Sequence, residues 1–302
     1  MSIATTTARE VTQSLATGRS KEHGPAALIF LGLLWFSMFF GVVVLLVLII
    51  DTIIEGSSRF DGALLTEYGS RVSPETTGFR AGILGSAWLM VFTALFAVPL
   101  GIAAALYLEE FANRDRWWNR LIELNLQNLA AVPSIVYGLL AVAVMALLGF
   151  DNSGTVLGGA IALALLILPV IIITTREAVR AVPREIRDGS LALGATVWQT
   201  TWRQTLPSAI PGIATGTILG LSRAIGEAAP LVVVGLAGSV RFDPEGLLSS
   251  ITALPMQIFS LTSQSQEDFQ TAASAAIVVL LVMILGLNGL AIFIRNKFQR
   301  TW

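Results

Sequence analysis

The chain has 302 residues, 54% of them hydrophobic and only 13% charged, with a mean hydropathy of +0.75. Soluble domains are about one quarter charged, so this composition excludes an ordinary water-soluble domain and points to lipid. There is no cysteine, which excludes disulfides and thiolate chemistry, and the single histidine, His23, stands in a polar stretch, which leaves no histidine-rich metal site.

Residues 1–23 read as a disordered tail. A helix needs about 20 apolar residues to cross the hydrocarbon core, and uncharged runs of that length lie at 24–50, 81–108, 124–150, 152–175 and 269–294. Each predicts a transmembrane helix. The first run is longer than a signal-peptide core of about 7–15 residues, so it is expected to be retained, with an extracytoplasmic loop following to residue 79. A sixth candidate, 208–240, is interrupted by Arg223 and Glu227. Residues 246–266 are uncharged but rich in Ser, Thr and Gln, and predict a surface loop with a short amphipathic piece at 254–261. Trp117, Trp118 and Trp302 stand at interface depths.

Basic residues favour the cytoplasmic side. With six spans, one side holds Arg9, Arg19, Lys21, Arg114, Arg116, Arg120, Arg176, Arg180, Arg184, Arg187, Arg203, Arg295, Lys297 and Arg300; the other holds Arg59, Arg71, Arg80 and Arg241. Both termini, 1–23 and 296–302, are therefore predicted inside. The fold class is an all-α polytopic membrane protein.

Between two of these spans runs "DGSLALGATVWQTTWRQTLPSAIPG". Pro183 suits the first turn of a helix, and Gly194 is placed to end it in the left-handed conformation. Thr196 and Gln199 have capping-box spacing and start a second helix that runs to Thr205, where Leu206-Pro207 breaks it and Pro211 opens the next span. The segment 184–207 is thus a helix–turn–helix on the cytoplasmic face. Ile186, Leu191, Leu193, Val197, Trp198 and Trp202 exceed what so small a hairpin can bury in itself. Two readings stand: the apolar residues rest on lipid headgroups or under the bundle, or they are knobs that dock on a cytoplasmic partner.

The same stretch resembles the cytoplasmic EAA loop of ABC-importer permeases, whose pattern is Glu-Ala-Ala, three residues, Gly, nine residues, Ile, any residue, Leu-Pro. Asp188, Gly189 and Ser190 occupy the Glu-Ala-Ala positions, Gly194 follows at the right spacing with Ala195 after it, and Leu206-Pro207 match; Gln204 stands where the family has Ile. The resemblance implies a coupling helix that inserts into a cleft on an ATP-hydrolysing subunit. A phosphate-cradling loop ends in Gly-Lys-Ser/Thr, and neither lysine here, Lys21 or Lys297, follows a glycine. The chain is therefore expected to be no enzyme, and energy must arrive through a partner.

Arg223 and Glu227, in "LSRAIGEAAP", are four residues apart and share a helix face in pairing range. A charge at the bilayer centre costs at least about 2.5–3.5 kcal/mol, and such residues usually mark an ion or substrate route. One reading is an ion pair that locks helix packing. The other is a guanidinium fork that receives an oxyanion, with Glu227 limiting how tightly it is held. Pro133, Ser134, Tyr137 and Gly138 read either as a kinked, close-packed helix start or as substrate contacts. Arg176 is either an inner-face anchor or a landing site for a departing anion.

"GLSRAIGEAAPL" and "LAAVPSIVYGLLAV" are similar to stretches in the permeases of bacterial high-affinity phosphate importers, and the resemblance extends over about 80–295. These importers contain two related permeases, PstA and PstC, and the layout here favours the PstA type. The resemblance implies a type I ABC-importer permease fold with its core at 80–295, in the bacterial plasma membrane. It implies phosphate as substrate, with Arg223 and Glu227 on its path, and a PstC-like second permease. It also implies a PstB-like ATPase dimer and a PstS-like extracytoplasmic phosphate-binding protein. Membrane lipid is the remaining contact; no nucleic acid, cofactor or metal is expected. A permease for molybdate or sulfate is the alternative, followed by an ATP-independent anion carrier or channel. An intramembrane enzyme fails for want of His, Cys or paired acids in the spans.

Overall fold

The computed structural model describes residues 25–113 and 116–298. The tail 1–23 with His23, and Arg114, Arg300 and Trp302, lie outside them. The chain divides into two compact units, 1–51 and 52–302. The first is dominated by α1 (Pro25–Gly56), an unbroken helix of 32 residues with no charged side chain before Asp51. At about 1.5 Å per residue it exceeds the roughly 30 Å of a hydrocarbon core.

The second unit is built around α2 (Arg80–Leu106) and α5 (Val156–Arg180). They run parallel: the α-carbon face of Gly159 meets Leu89, and Gly101 meets Ile171 one stretch further along both helices. Lipid tails give helices no hydrophobic reason to associate, so close van der Waals approach must supply it. α8 (Leu206–Ile225) shows how. Gly212, Gly216 and Gly220 recur every four residues and lie against Ala178, Thr174 and Ile171 of α5, where a methyl group at Gly216 would fall 2.1 Å from the Thr174 hydroxyl. The core between these helices is Leu89, Leu163, Ile167, Ile171, Leu231, Val234 and Met145, all essentially buried.

Four helices among the described residues are long and apolar enough to cross a membrane: Leu28–Arg59, Arg80–Phe111, Val156–Arg180 and Glu267–Lys297. The span expected at 124–150 is not one helix. It is α3 (Trp117–Ala130) followed by α4 (Ser134–Leu147), bent by 115°, and counts as a fifth span only if the pair is taken together. Pro133 is the cause, since proline disfavours helical geometry in the residue before it. Tyr137 donates its hydroxyl to the Leu129 carbonyl at 2.6 Å and fastens the two arms, while Gly138 lies against the Pro230 backbone. Here Pro133, Tyr137 and Gly138 serve packing.

The sixth candidate, 208–240, is also divided. α8 ends at Ile225, residues 226–228 are non-helical, and α9 (Ala229–Val234) begins anew, with Pro230 in its first turn. Leu206-Pro207 was expected to break the preceding helix and does not. The wide π-turn Thr201–Thr205 runs straight into α8, loosening the ladder where Pro207 lacks its N–H and would crowd the turn before it. Pro211 is likewise inside α8 rather than at its start.

The stretch expected as a surface loop, 246–266, is exposed at both ends but buried at 251–257, and the amphipathic piece expected at 254–261 is present as a helix. Ile251, Thr252, Ala253 and Leu254 are at most 1% exposed, and α10 (Leu254–Thr262) packs inward. The small face of α2 receives it: the Leu254 N–H donates to the Ser86 hydroxyl at 2.9 Å, and the Thr252 carbonyl sits on Gly85. α11 (Glu267–Phe298) then returns along the bundle. Among the described residues there is no strand, only one isolated bridge between Thr155 and Ser250.

Candidate functional site

Two places combine unusual chemistry with exposure. The first is the hairpin. α6 (Arg184–Ala192) closes with the Gly194 N–H on the Leu191 carbonyl and the Ala195 N–H on the Ser190 carbonyl, and Gly194 has φ +85°. This is a Schellman closure, which needs a residue in the left-handed region. α7 (Val197–Thr200) opens with a complete capping box: the Thr196 N–H donates to Gln199 Oε1 and the Gln199 N–H to Thr196 Oγ1. The Ser190 and Thr200 hydroxyls, 2.9 Å apart, tie the two helices. The turn geometry read from Gly194, Thr196 and Gln199 is therefore present.

The hairpin leaves its apolar residues outside. Leu193 is 91% exposed and Trp198 60%, with Ile186, Leu191, Val197 and Trp202 also exposed. Trp198 lies tilted between Trp202 and Phe111, at ring distances of 5.4 and 6.0 Å. Asp188, Gly189 and Pro207 are exposed, and Ser190, Ala195 and Leu206 half-buried. Between the helices lies an open hollow of about 530 Å³ bordered by Ile186, Gly189, Leu193, Gln199 and Gln204. Gln204 thus faces the hollow rather than the core, so no internal packing demands an isoleucine there.

Sequence reasoning missed what holds the hairpin. The π-turn Tyr107–Phe111 at the end of α2 sends Glu109 and Glu110 to different arginines. Glu110 pairs with Arg187 of α6 at 2.9 Å, and Arg187 also donates to the Val179 carbonyl. Glu109, with a side chain 3% exposed, pairs with Arg180 at 2.8 Å and with Arg176 at 3.4 Å, while Arg176 reaches Glu123 of α3. Arg176 is 8% exposed and held between two carboxylates, the arrangement of a structural tie. The legible signal was two adjacent glutamates ending one span and arginines four apart ending another.

The second place is the break between α8 and α9. Arg223 lies in the last turn of α8 and Glu227 in the break. They are close, Nε to Oε1 3.6 Å, but form no hydrogen bond; the side chains are 46% and 24% exposed. Among the described residues no hydrogen bond reaches the Arg223 guanidinium. Its neighbours Ala224 and Ile225 are buried, so the charge projects from a fixed backbone. Glu227 is placed by its own N–H on the Ala224 carbonyl. Broken apolar helices with polar groups at the break are a recurring way to build transport sites inside membranes.

A bundle of apolar helices with a folded hairpin exposed at one end defines a permease subunit of the ABC-importer class. The family described as "Binding-protein-dependent transport system inner membrane component" matches residues 97–300, and the chain belongs to it. It is a multi-pass inner-membrane component, and the family is not itself catalytic. The chain is 32% identical to the phosphate transport system permease protein PstA of Yersinia pestis, over 86% of this chain and 88% of that one. It is 36% identical to the PstA protein of Mycobacterium leprae, over 76% and 75%. Against the probable ABC transporter permease protein YqgH of Bacillus subtilis it is 35% identical over 77% of each. Among solved structures, a bacterial alginate ABC transporter superposes with a TM-score of 0.65 at 14% identity, covering 91% of this chain and 96% of that one. The MetNI methionine ABC transporter, facing inward, gives 0.58 at 16%, covering 73% and 95%. At these identities the solved structures share the fold.

Proposed function

We propose that this permease subunit carries inorganic phosphate into the cytoplasm, driven by ATP hydrolysed on separate subunits. The observation that carries the reading is Arg223: a guanidinium set at a helix break within the bundle, half exposed, and only loosely matched by Glu227. A planar fork of donors suits a tetrahedral oxyanion, and the loose carboxylate keeps the anion releasable. The similarity to PstA proteins supports phosphate as that anion. In this reading both termini are cytoplasmic and six segments cross, with α8, the break and α9 forming one of them. The permease core is 80–295, flanked by a first helix and loop at 24–79 and short tails. A PstC-like permease completes the path, a PstS-like protein delivers phosphate, and a PstB-like ATPase dimer receives the hairpin 184–207. The exposed Leu193, Trp198 and Trp202 are the docking knobs, and the Glu110–Arg187 pair passes the movement to α2.

Phosphate uptake by the reconstituted complex tests this. Arg223→Gln should abolish uptake while the complex still assembles, and unlabelled phosphate should compete far better than sulfate or molybdate. Normal uptake by Arg223→Gln removes Arg223 from the path; stronger competition by sulfate or molybdate reassigns the anion.

A further inference from the structure

A groove of about 480 Å³ runs between α2, α8 and α11, and neither Arg223 nor Glu227 lines it. Its walls are Met90, Ile218, Leu221, Leu287 and Ala291, with one polar pair, Ser222 and Asn288. Those two bond to each other and interrupt an otherwise apolar wall. Ile218 and Ala291 line one end. One helical turn beyond them, Arg295 of α11 donates to Thr215 Oγ1 of α8 at 3.0 Å, which sets a guanidinium across the groove's mouth. Its Nε and Nη2 donate to Asn296 Oδ1, a neutral acceptor; among the described residues no carboxylate pairs with Arg295, and Lys297 follows two residues on.

An apolar slot ending in an unneutralised guanidinium matches one kind of molecule available to a membrane protein. We propose that this groove holds an acyl chain of an anionic phospholipid, its phosphate on Arg295. A water-filled groove fails because the walls are almost wholly apolar. A zwitterionic lipid would fill the slot but place its own cation beside Arg295. Basic pockets between membrane helices are a known way to select acidic headgroups, and each basic residue near the surface contributes about 1 kcal/mol. The proposal rests on the membrane embedding alone and stands or falls separately from the phosphate reading.

The test uses the assembled complex in nanodiscs of equal phosphatidylglycerol and phosphatidylcholine, with retained lipid counted by native mass spectrometry. Wild type should keep phosphatidylglycerol in preference. Arg295→Gln should lower that preference roughly fivefold, and Arg295→Lys should restore most of it. Ala291→Phe should reduce retention of both lipids by filling the slot, with the complex still eluting at its normal size. Equal retention of the two lipids by wild type overturns the proposal, as does an unchanged preference in Arg295→Gln. The chain has no native cysteine, so Ala291→Cys can be crosslinked cleanly; capture of the second permease there would assign the groove to protein and overturn it too. Should Ala291→Phe fail to assemble, the Arg295 pair of variants still decides.

Discussion

Two connections in this chain looked alike in composition and ended differently. Both 184–207 and 246–266 mix Ser, Thr, Gln and Gly with scattered leucines and aromatics. In the first, Leu193 is 91% exposed; in the second, Leu254 is fully buried. The second has a receiver within the chain, the small face of α2 at Gly82, Gly85 and Ser86, whose hydroxyl satisfies the Leu254 N–H. The first is tied to the bundle through Arg187 on Glu110 and Trp198 against Phe111, but its leucines find no receiver. Its turn is closed by its own caps, and most of its apolar side chains are left outward on a rigid frame. An exposed apolar surface that the fold has shaped this firmly is made for another molecule.

The largest expected effect breaks that contrast at its buried end. Leu254→Asp puts a carboxylate into a dry site with no partner, and burying an unpaired charge costs more than most domains can tolerate. No folded protein should be recovered, while Leu254→Ala should cost about 3 kcal/mol in thermal stability. At the other end Leu193→Asp should leave the melting temperature nearly unchanged, because surface substitutions stay within about 0.5 kcal/mol, while Trp198→Asp should cost about 1–2 kcal/mol for its ring contacts with Phe111 and Trp202. The same variants should lower ATP-driven uptake at least about a hundredfold and abolish co-purification of the ATPase, since buried aromatic anchors each contribute about 2–4 kcal/mol at an interface. Full uptake by Trp198→Asp would show that the hairpin touches only lipid.

A third prediction concerns the tie between hairpin and bundle. Arg187→Ala leaves Glu110 in a nearly closed site, with its side chain 9% exposed. Removing one partner of a fully buried pair costs about 3–5 kcal/mol; Arg187 keeps 21% exposure, so about 2 kcal/mol is expected. Replacing both, Arg187→Met with Glu110→Gln, should recover most of the stability. Uptake should stay depressed if the ion pair transmits movement, and should recover with stability if it only holds the hairpin in place.

The contrast also explains what the sequence made legible. Gly194, Thr196 and Gln199 are local chemistry, and their turn and cap are present as read. Most spans were read from length and hydropathy, which also need no partner. Failures came where a distant element decides. The bend at Pro133 was hidden in a continuous apolar run. Residues 251–254 were read as surface because polar composition says nothing about a glycine face waiting on α2. The divided helix at 226–228 was masked by the i, i+4 spacing of Arg223 and Glu227, which suggests one helix; the two remain 3.6 Å apart although the helix does not continue. Arg176 stayed open between an anchor and a landing site because its partners, Glu109 and Glu123, lie more than 50 residues away.

The smallest effect lies at the end of the molecule opposite the hairpin, where Asp243 accepts from Arg80 at 2.6 Å and from the Tyr68 hydroxyl at 3.3 Å. The hydrogen bond from Arg80 holds the Asp243 carboxyl below its ordinary range. The folded state therefore binds its proton less readily than the unfolded chain, and stability from this site is complete above the ordinary carboxylate pKa of about 3.9. It is lost only as pH falls through the lowered folded value. The cluster is open to water, where salt screens such pairs, so it guides 235–250 onto 67–80 more than it stabilises them. Asp243→Asn should lower the melting temperature only slightly and evenly between pH 6 and 8, and the difference from wild type should close as pH falls through the lowered folded value. A clear loss of stability at pH 7 in that variant would mean that this end, like the hairpin, depends on its charges, and the contrast between the two connections would then rest on burial alone.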